Sequence, residues 1–195
     1  MSMLSKKHNF NEVFDSQALF RLILTAMSNP LRTVNIKEFG DKLFGDNADF
    51  LTVAMTLLDN EVSFNTCENR QLSDEIVSLT LSKRETIENA DYIFVENSKD
   101  LKDTIENAKC GTLIDPHKSA TIIVKIPSDK NVYLTLIGPG IDGSATIHTN
   151  GIVTNALDFR DSGFFEYPEG IDFVFIDTDC NLFAVPRLVC KEVVA

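Results

Sequence analysis

Ala120-Thr-Ile-Ile-Val-Lys-Ile126, Pro127-Ser-Asp-Lys-Asn131 and Val132-Tyr-Leu-Thr-Leu-Ile137 follow one another without interruption. The outer two pieces are apolar and β-branched, and the second alternates Val132, Leu134 and Leu136 with smaller or polar neighbours, the period of a strand. The polar piece between them has the length of a hairpin turn. Hairpins in a chain that otherwise interleaves helices and strands predict an α/β fold: a mixed central β-sheet flanked by helices, not an all-parallel one.

Towards the amino terminus, Leu19, Phe20, Ile23, Ala26 and Met27 recur at three and four, which predicts a helix from Asp15 or Ser16. Asn29-Pro30 ends it, because the residue before proline is pushed out of the helical region. A second helix is expected from Asn47 to about Asp59, with Phe50, Leu51, Ala54, Leu57 and Leu58 on its buried stripe. Ser73 reads as the cap of a third helix reaching Lys83, and Asp100 to Ala108 as a fourth with Leu101, Ile105 and Ala108 inward. Tyr92 to Val95 reads as a strand. Beyond the quoted stretch come a helix from Gly151 to Arg160 and two strands, Ile171 to Ile176 and Leu182 to Val185. No repeat or linker divides the chain. The expectation is a flexible polar segment over 1–12 and a single domain over 13–195.

A chain of 195 residues can bury roughly 70% of its unfolded surface. Its 44% apolar content and 14 Phe argue against disorder, and with no Trp the centre must be filled by Phe and aliphatic side chains. The net charge of −11 sets up a field that repels nucleic acid and polyphosphates, so no nucleic-acid partner is expected. Cys67, Cys110, Cys180 and Cys190 are widely and irregularly spaced, which reads as reduced thiols and a cytoplasmic setting. No stretch approaches the ~20 apolar residues that cross a membrane, and no signal peptide is evident.

Three stretches set Gly or Pro beside apolar runs and so mark sharp turns of buried chain: 136–141 (Leu-Ile-Gly-Pro-Gly-Ile), 167–172 (Tyr-Pro-Glu-Gly-Ile-Asp) and 184–187 (Ala-Val-Pro-Arg). Gly138-Pro139-Gly140 lacks the Lys-Ser or Lys-Thr tail of a P-loop and the third glycine of a dinucleotide fingerprint. Asp177, Asp179 and Asn181 begin like a calcium loop, but Leu182 and Leu188 stand where glycine and glutamate are required, so a polar hairpin turn is the better reading and no metal is expected. His8, His117 and His148 show no zinc spacing. His117, in a loop before a strand, is a candidate ligand contact. Arg21 shares the polar stripe of the first helix with Gln17, Thr25 and Ser28. Arg187 follows Pro186 among Val185, Leu188 and Val189, and a charge so placed needs a partner in the fold or on another chain.

The residues together resemble the PhnH family, the H subunit of bacterial carbon-phosphorus lyase. The resemblance runs from about Phe14 to Val194. It is carried by Phe20-Arg21 with 26–30, 57–60, Gly111-Thr112 with Pro116, Gly138-Pro139-Gly140-Ile141, Pro168 to Asp172, and Pro186-Arg187. Two places depart from the pattern. Pro116-His117-Lys118-Ser119-Ala120-Thr121 stands where the family reads Pro-x-x-Gly-Ala-Thr, and Leu188 where Thr usually follows Pro-Arg.

The resemblance implies a core assembly with the G, I and J subunits that breaks down organic phosphonates. G, H, I and L are required for a phosphonate to displace adenine from ATP, giving ribose 1-phosphonate 5-triphosphate. It also implies the large-domain fold of pyridoxal-phosphate transferases without their cofactor site, so no cofactor is expected. Displacing adenine needs an acid, charge stabilisation and a cationic clamp for the triphosphate, and no Lys/Arg cluster supplies that clamp. A structural or substrate-shaping subunit is therefore expected, inactive alone. A direct nucleotide- or phosphonate-binding module is the alternative. A third reading, a reduced pyridoxal-phosphate enzyme, would have to use Lys118 or Lys125, neither with an evident aspartate partner for a pyridine nitrogen. Arg21, His117, Gly138, Pro139, Gly140, Asp172, Pro186 and Arg187 are the candidate binding or interface residues. The apolar tail over 183–190 suggests a homodimer in isolation.

Overall fold

The computed structural model of the protein describes residues 8–163 and 165–192. The first half runs α1 (Phe14–Ser28), β1 (Val34–Asn35), α2 (Lys37–Gly40), α3 (Ala48–Leu57), β2 (Ser63–Asn65), α4 (Arg70–Thr80), β3 (Lys83–Arg84) and β4 (Tyr92–Val95). The second half runs α5 (Leu101–Asn107), a 3-10 turn at Pro116–Lys118, β5 (Thr121–Ile126), β6 (Val132–Ile137), β7 (Ala145–Thr149), α6 (Gly151–Ser162), β8 (Asp172–Asp177), β9 (Asn181–Val185) and β10 (Cys190–Lys191). Seven strands form a mixed sheet in the order β1-β9-β8-β5-β4-β2-β3, in which β9 alone runs against the rest. Three more form a separate antiparallel sheet, β10-β6-β7. This is the α/β domain with a helix-flanked mixed sheet that the sequence predicted.

The expected hairpin over 120–137 is corrected, because β5 pairs with β4 and β8 in the large sheet while β6 pairs with β7 and β10 in the small one. The antiparallel turns lie elsewhere, between β6 and β7 and between β8 and β9. Cores fill both faces of the large sheet. On one, Leu19, Ile23 and Ala26 of α1, Phe50 and Ala54 of α3 and Ile76 of α4 cover Phe64, Phe94, Ile123, Val174 and Ile176. On the other, Ile105 of α5, Val153 and Leu157 of α6, and Leu134 and Leu136 of the small sheet cover Ile122, Val124, Phe173, Phe175 and Phe183. Every residue of β8 is buried, as a central strand covered on both faces requires.

Helix α4 starts earlier than expected. Asn69, not Ser73, is its cap, and its side chain accepts from Leu72 N at 3.0 Å. The helix stops at Thr80 because Leu81 takes a left-handed conformation, φ 60°. Of the segment expected to be flexible, residues 1–7 lie outside the described residues. From His8 onward the chain packs after α2: Asn9 N donates to Lys42 O at 2.9 Å, His8 Nδ1 accepts from Phe44 N at 3.1 Å, and Phe10 is buried.

Phe50 is fully buried with its ring edge-on to Phe94, centroids 5.5 Å apart. Phe50→Ala should cost about 3–5 kcal/mol in chemical denaturation, from lost burial and the cavity left behind. A second prediction concerns acid stability. Ahead of β4, the Asp91 carboxylate accepts from Ser63 N (2.8 Å), Ser63 Oγ (2.7 Å) and Lys109 Nζ (2.5 Å). Burial opposes ionisation, but the bonds from Lys109 and Ser63 outweigh it and leave the Asp91 pKa lowered. A depressed folded pKa gives stability that is present above the unfolded value of about 3.9 and lost as pH falls through the folded one. Wild type should therefore lose more stability than Asp91→Asn on acidification below about pH 4. Parallel losses in denaturation midpoints of the two proteins would contradict this.

Candidate functional site

The charge that needed a partner finds it at the start of β8. Arg187 Nη2 donates to Asp172 Oδ2 at 2.5 Å, Nε to Oδ1 at 3.3 Å, and the Arg187 backbone N–H to the same Oδ1 at 2.8 Å. The remaining guanidinium nitrogen, Nη1, donates to the carbonyl of Pro116. The pair is largely buried, with side chains 19% and 11% exposed. Asp172 is placed by the β5–β8 register, in which it sits beside Thr121, and Arg187 by β9, which returns antiparallel to end at Val185.

A second arginine, not singled out in the sequence, supports the same segment from below. Arg160, fully buried at the end of α6, donates through Nη2 to Val189 O at 2.5 Å and through Nη1 to Pro186 O at 3.3 Å. Its guanidinium lies 5.6 Å from the Phe173 ring centroid, and Nε donates to Asp161 Oδ1 at 2.9 Å. Two glycines let neighbouring loops close on this segment. Gly170, at φ 144°, would place a Cβ 2.9 Å from Arg187 Cβ, and Gly138, at φ 141°, 2.7 Å from Leu188 O. Both conformations and both contacts require glycine.

The result is an open cavity of about 390 Å³ walled by Pro116, Pro139, Pro168, Pro186, Leu188 and Val189, with His117, Asp172 and Arg187 at its polar edge. Four of the chain's six prolines line it, so its walls are apolar and stiff. Its two charges cancel, and the guanidinium is committed on all three nitrogens. The cavity can take an apolar group; it offers no unengaged cation to an anion. Tyr167, whose bond to Pro168 is cis, and Ile114 stand exposed at 79% and 90% on two of the loops that supply these prolines.

Of the candidates, His117, Pro139, Asp172, Pro186 and Arg187 line this cavity. Gly138 lies behind it against Leu188 and Val189, and Gly140 packs on Pro30, where a Cβ would meet the proline Cδ at 2.8 Å. Arg21 is not brought to it. It is exposed on α1, with no side-chain hydrogen bond or ion pair among the described residues. Asp177 Oδ1 accepts from Asp179 N and Asn181 N, both at 2.9 Å, which is the polar turn expected between β8 and β9. Lys118 and Lys125 are engaged by Asp115 (2.7 Å) and Asp49 (2.8 Å). The Lys118 hydrogen bond also lowers the Asp115 pKa.

Open sheets often hold ligands outside the carboxyl ends of their strands, where strand order reverses. Here that point lies between β2 and β4, and the crevice beyond it is lined by Cys67, Glu68, Lys99, Asp100, Asp103 and Thr104. Burial raises the Cys67 pKa, and three carboxylates outnumber one ammonium, so this crevice disfavours anions. No group of three or more His, Cys, Asp or Glu is placed to hold a metal among the described residues, and none of their helices is long and apolar enough to cross a membrane.

The sequence pattern of the bacterial phosphonate metabolism protein family, PhnH, matches residues 8–190. The chain belongs to the PhnH family. No curated protein matches it. Four of the fragments that carried the PhnH resemblance, 111–116, 138–141, 168–172 and 186–187, supply or back the proline-walled cavity, and 26–30 pack on one of them through Pro30 and Gly140, while Phe20-Arg21 and 57–60 lie elsewhere. Most of these motifs thus meet at a joint between loops, and the chain's place is in phosphonate metabolism.

Arg187→Ala should destabilise the fold by about 3 kcal/mol, because it leaves the Asp172 carboxylate buried without its partner. Arg187→Lys should fall between it and wild type, keeping the charge and losing the fork. Urea denaturation of both checks this, and unchanged midpoints would contradict a structural ion pair.

Proposed function

We propose that the chain is a non-catalytic subunit of the carbon-phosphorus lyase core assembly, built with the G, I and J subunits in the cytoplasm. In that assembly it supports the step in which a phosphonate displaces adenine from ATP to give α-D-ribose 1-phosphonate 5-triphosphate. Its part is structural or substrate-shaping, and alone it forms a homodimer without activity. The observation that carries this reading is the closure of Arg187 on Asp172 and Pro116, which removes the one arginine of the family motifs at the cavity from any triphosphate clamp. Displacement at the ribose carbon needs such a clamp and an acid for the departing base, which on this reading another subunit supplies.

A second reading, direct binding of nucleotide or phosphonate in the proline-walled cavity, is favoured by the convergence of His117, Asp172 and Arg187 there. Nitrogen-15 NMR titration with ATP and methylphosphonate separates the two, because it locates any binding along the chain. The first reading expects no binding of ATP or methylphosphonate in that cavity by the free chain, and co-purification with the other core subunits. Conversion of ATP and methylphosphonate by the purified chain, or failure to join the assembly, would reject it.

A further inference from the structure

Of the ten large apolar or aromatic side chains exposed among the described residues, five stand at one end of the molecule. They are Phe20 and Leu24 on α1, Leu113 and Ile114 ahead of β5, and Tyr167 ahead of β8, all near the amino ends of the parallel strands β4, β5 and β8. Exposed apolar residues gathered in this way mark a surface that another molecule covers.

Two of the five form a rigid projection. Leu113 and Ile114 are the middle of a turn over 112–115, closed by Thr112 N donating to Asp115 O at 3.3 Å and Asp115 N to Thr112 Oγ1 at 2.9 Å. Such tips usually carry Gly, Pro, Asn, Asp or Ser, and a Leu-Ile pair there, 54% and 90% exposed, gains little from this chain's own core. The loop is tied down at its base: Cys110 bridges Ser119, Cys110 O accepts from Gly170 N at 2.9 Å, and the Pro116 carbonyl accepts from Arg187. An apolar anchor held in place before contact loses little freedom on binding.

A receptor for such an anchor lies at the same end. Phe20, Leu24, Met27, Leu57 and Tyr92 line an apolar groove of about 150 Å³ alongside α1. An apolar cavity of that size takes a group as large as benzene, so it has room for an isoleucine side chain. The groove reaches Thr121, whose neighbour across the β5–β8 register is Asp172, at the polar edge of the proline-walled cavity. Projection and groove therefore share one end of the sheet.

The charges are arranged in the same paired way. Arg21, one turn before Leu24, borders the groove and has no side-chain partner among the described residues. Glu166 and Glu169, on either side of Tyr167 and Pro168, have none either. A surface that holds both a projection and a groove, and both an unpaired cation and unpaired carboxylates, is complementary to itself, and a two-fold axis brings each feature against its counterpart. A second copy of this chain meets that requirement. With a charge of −11 on each copy, Arg21 against the glutamates also offsets repulsion at the contact.

We propose that this end of the molecule is the surface by which two copies associate, with Ile114 of each seated in the α1 groove of the other. The inference rests on the homodimer reading and adds to it the surface and the anchor. The test is sedimentation equilibrium of the full chain as wild type, Ile114→Asp, Leu24→Asp, Tyr133→Asp and Arg21→Glu. Ile114→Asp should weaken the dimer about thirtyfold, as loss of a central apolar anchor does. Leu24→Asp should do the same from the groove side, and Tyr133→Asp, at an exposed residue of the small sheet, should change nothing. Arg21→Glu should weaken the dimer less, and adding Glu166→Arg with Glu169→Arg should recover the loss. Ile114 is 90% exposed, so its variant keeps the fold, which urea midpoints check. A monomeric wild type would reject the homodimer reading and this inference together. An unchanged dimer Kd for Ile114→Asp would overturn this inference alone. If that dimeric variant also failed to join the core subunits, the face would belong to another partner.

Discussion

The Asp172 carboxylate holds the first residue of a fully buried strand to the segment that leaves its antiparallel neighbour, and through Arg187 it reaches a third element, the Pro116 carbonyl. A buried ion pair is a weak net source of stability, because desolvation offsets most of its attraction. Its effect here is geometric: with both partners committed, the loops carrying Pro116 and Pro186 have one way to meet. Arg160 reinforces that choice by donating to the Val189 carbonyl and to that of Pro186, which also accepts from Val189 N.

Such a clasp works only on a rigid frame, and the frame comes from the way β8 is packed. Val174 and Ile176 face the core under α1, α3 and α4, while Phe173 and Phe175 face the one under α5, α6 and the small sheet. In a chain without tryptophan, phenylalanines help to fill both faces, Phe50, Phe64 and Phe94 on the first and Phe173, Phe175 and Phe183 on the second. Phe173, Phe175 and Phe183 form a contiguous run with centroids 5.5 and 5.2 Å apart, and Arg160 lies over Phe173. The apolar core and the polar clasp therefore share Arg160, and a change in either is felt at the cavity.

Much of this was legible in the sequence. Periodicity identified α1, α3 and α6, apolar runs identified β4, β5, β8 and β9, and the apolar setting of Arg187 signalled a buried partner. The misread hairpin has a physical cause, because a five-residue connection serves equally to cross between sheets. The distinguishing signal was present: 120–126 is apolar on both faces, as a central strand must be, while 132–137 alternates. Arg160 was missed although Val153, Ala156, Leu157 and Arg160 share one buried stripe, so its burial could have been read from spacing. Two-residue strands such as β1, β3 and β10 carry no period to read.

The distribution of charge explains how a strongly acidic chain can belong to a phosphonate pathway. A net charge of −11 opposes the approach of polyanions, so contact with a phosphorus oxyanion depends on local cations that are left uncommitted. At the proline-walled cavity the arginine is spent on holding loops together, and at the crevice beyond β2 and β4 the carboxylates outnumber the lysine. Lys125 is held by Asp49, Lys109 by Asp91 and Lys42 by Asp15. Arg21 and Lys130, both exposed and without side-chain partners among the described residues, escape this pattern. A fold that pairs so many of its cations internally has few left to hold a triphosphate.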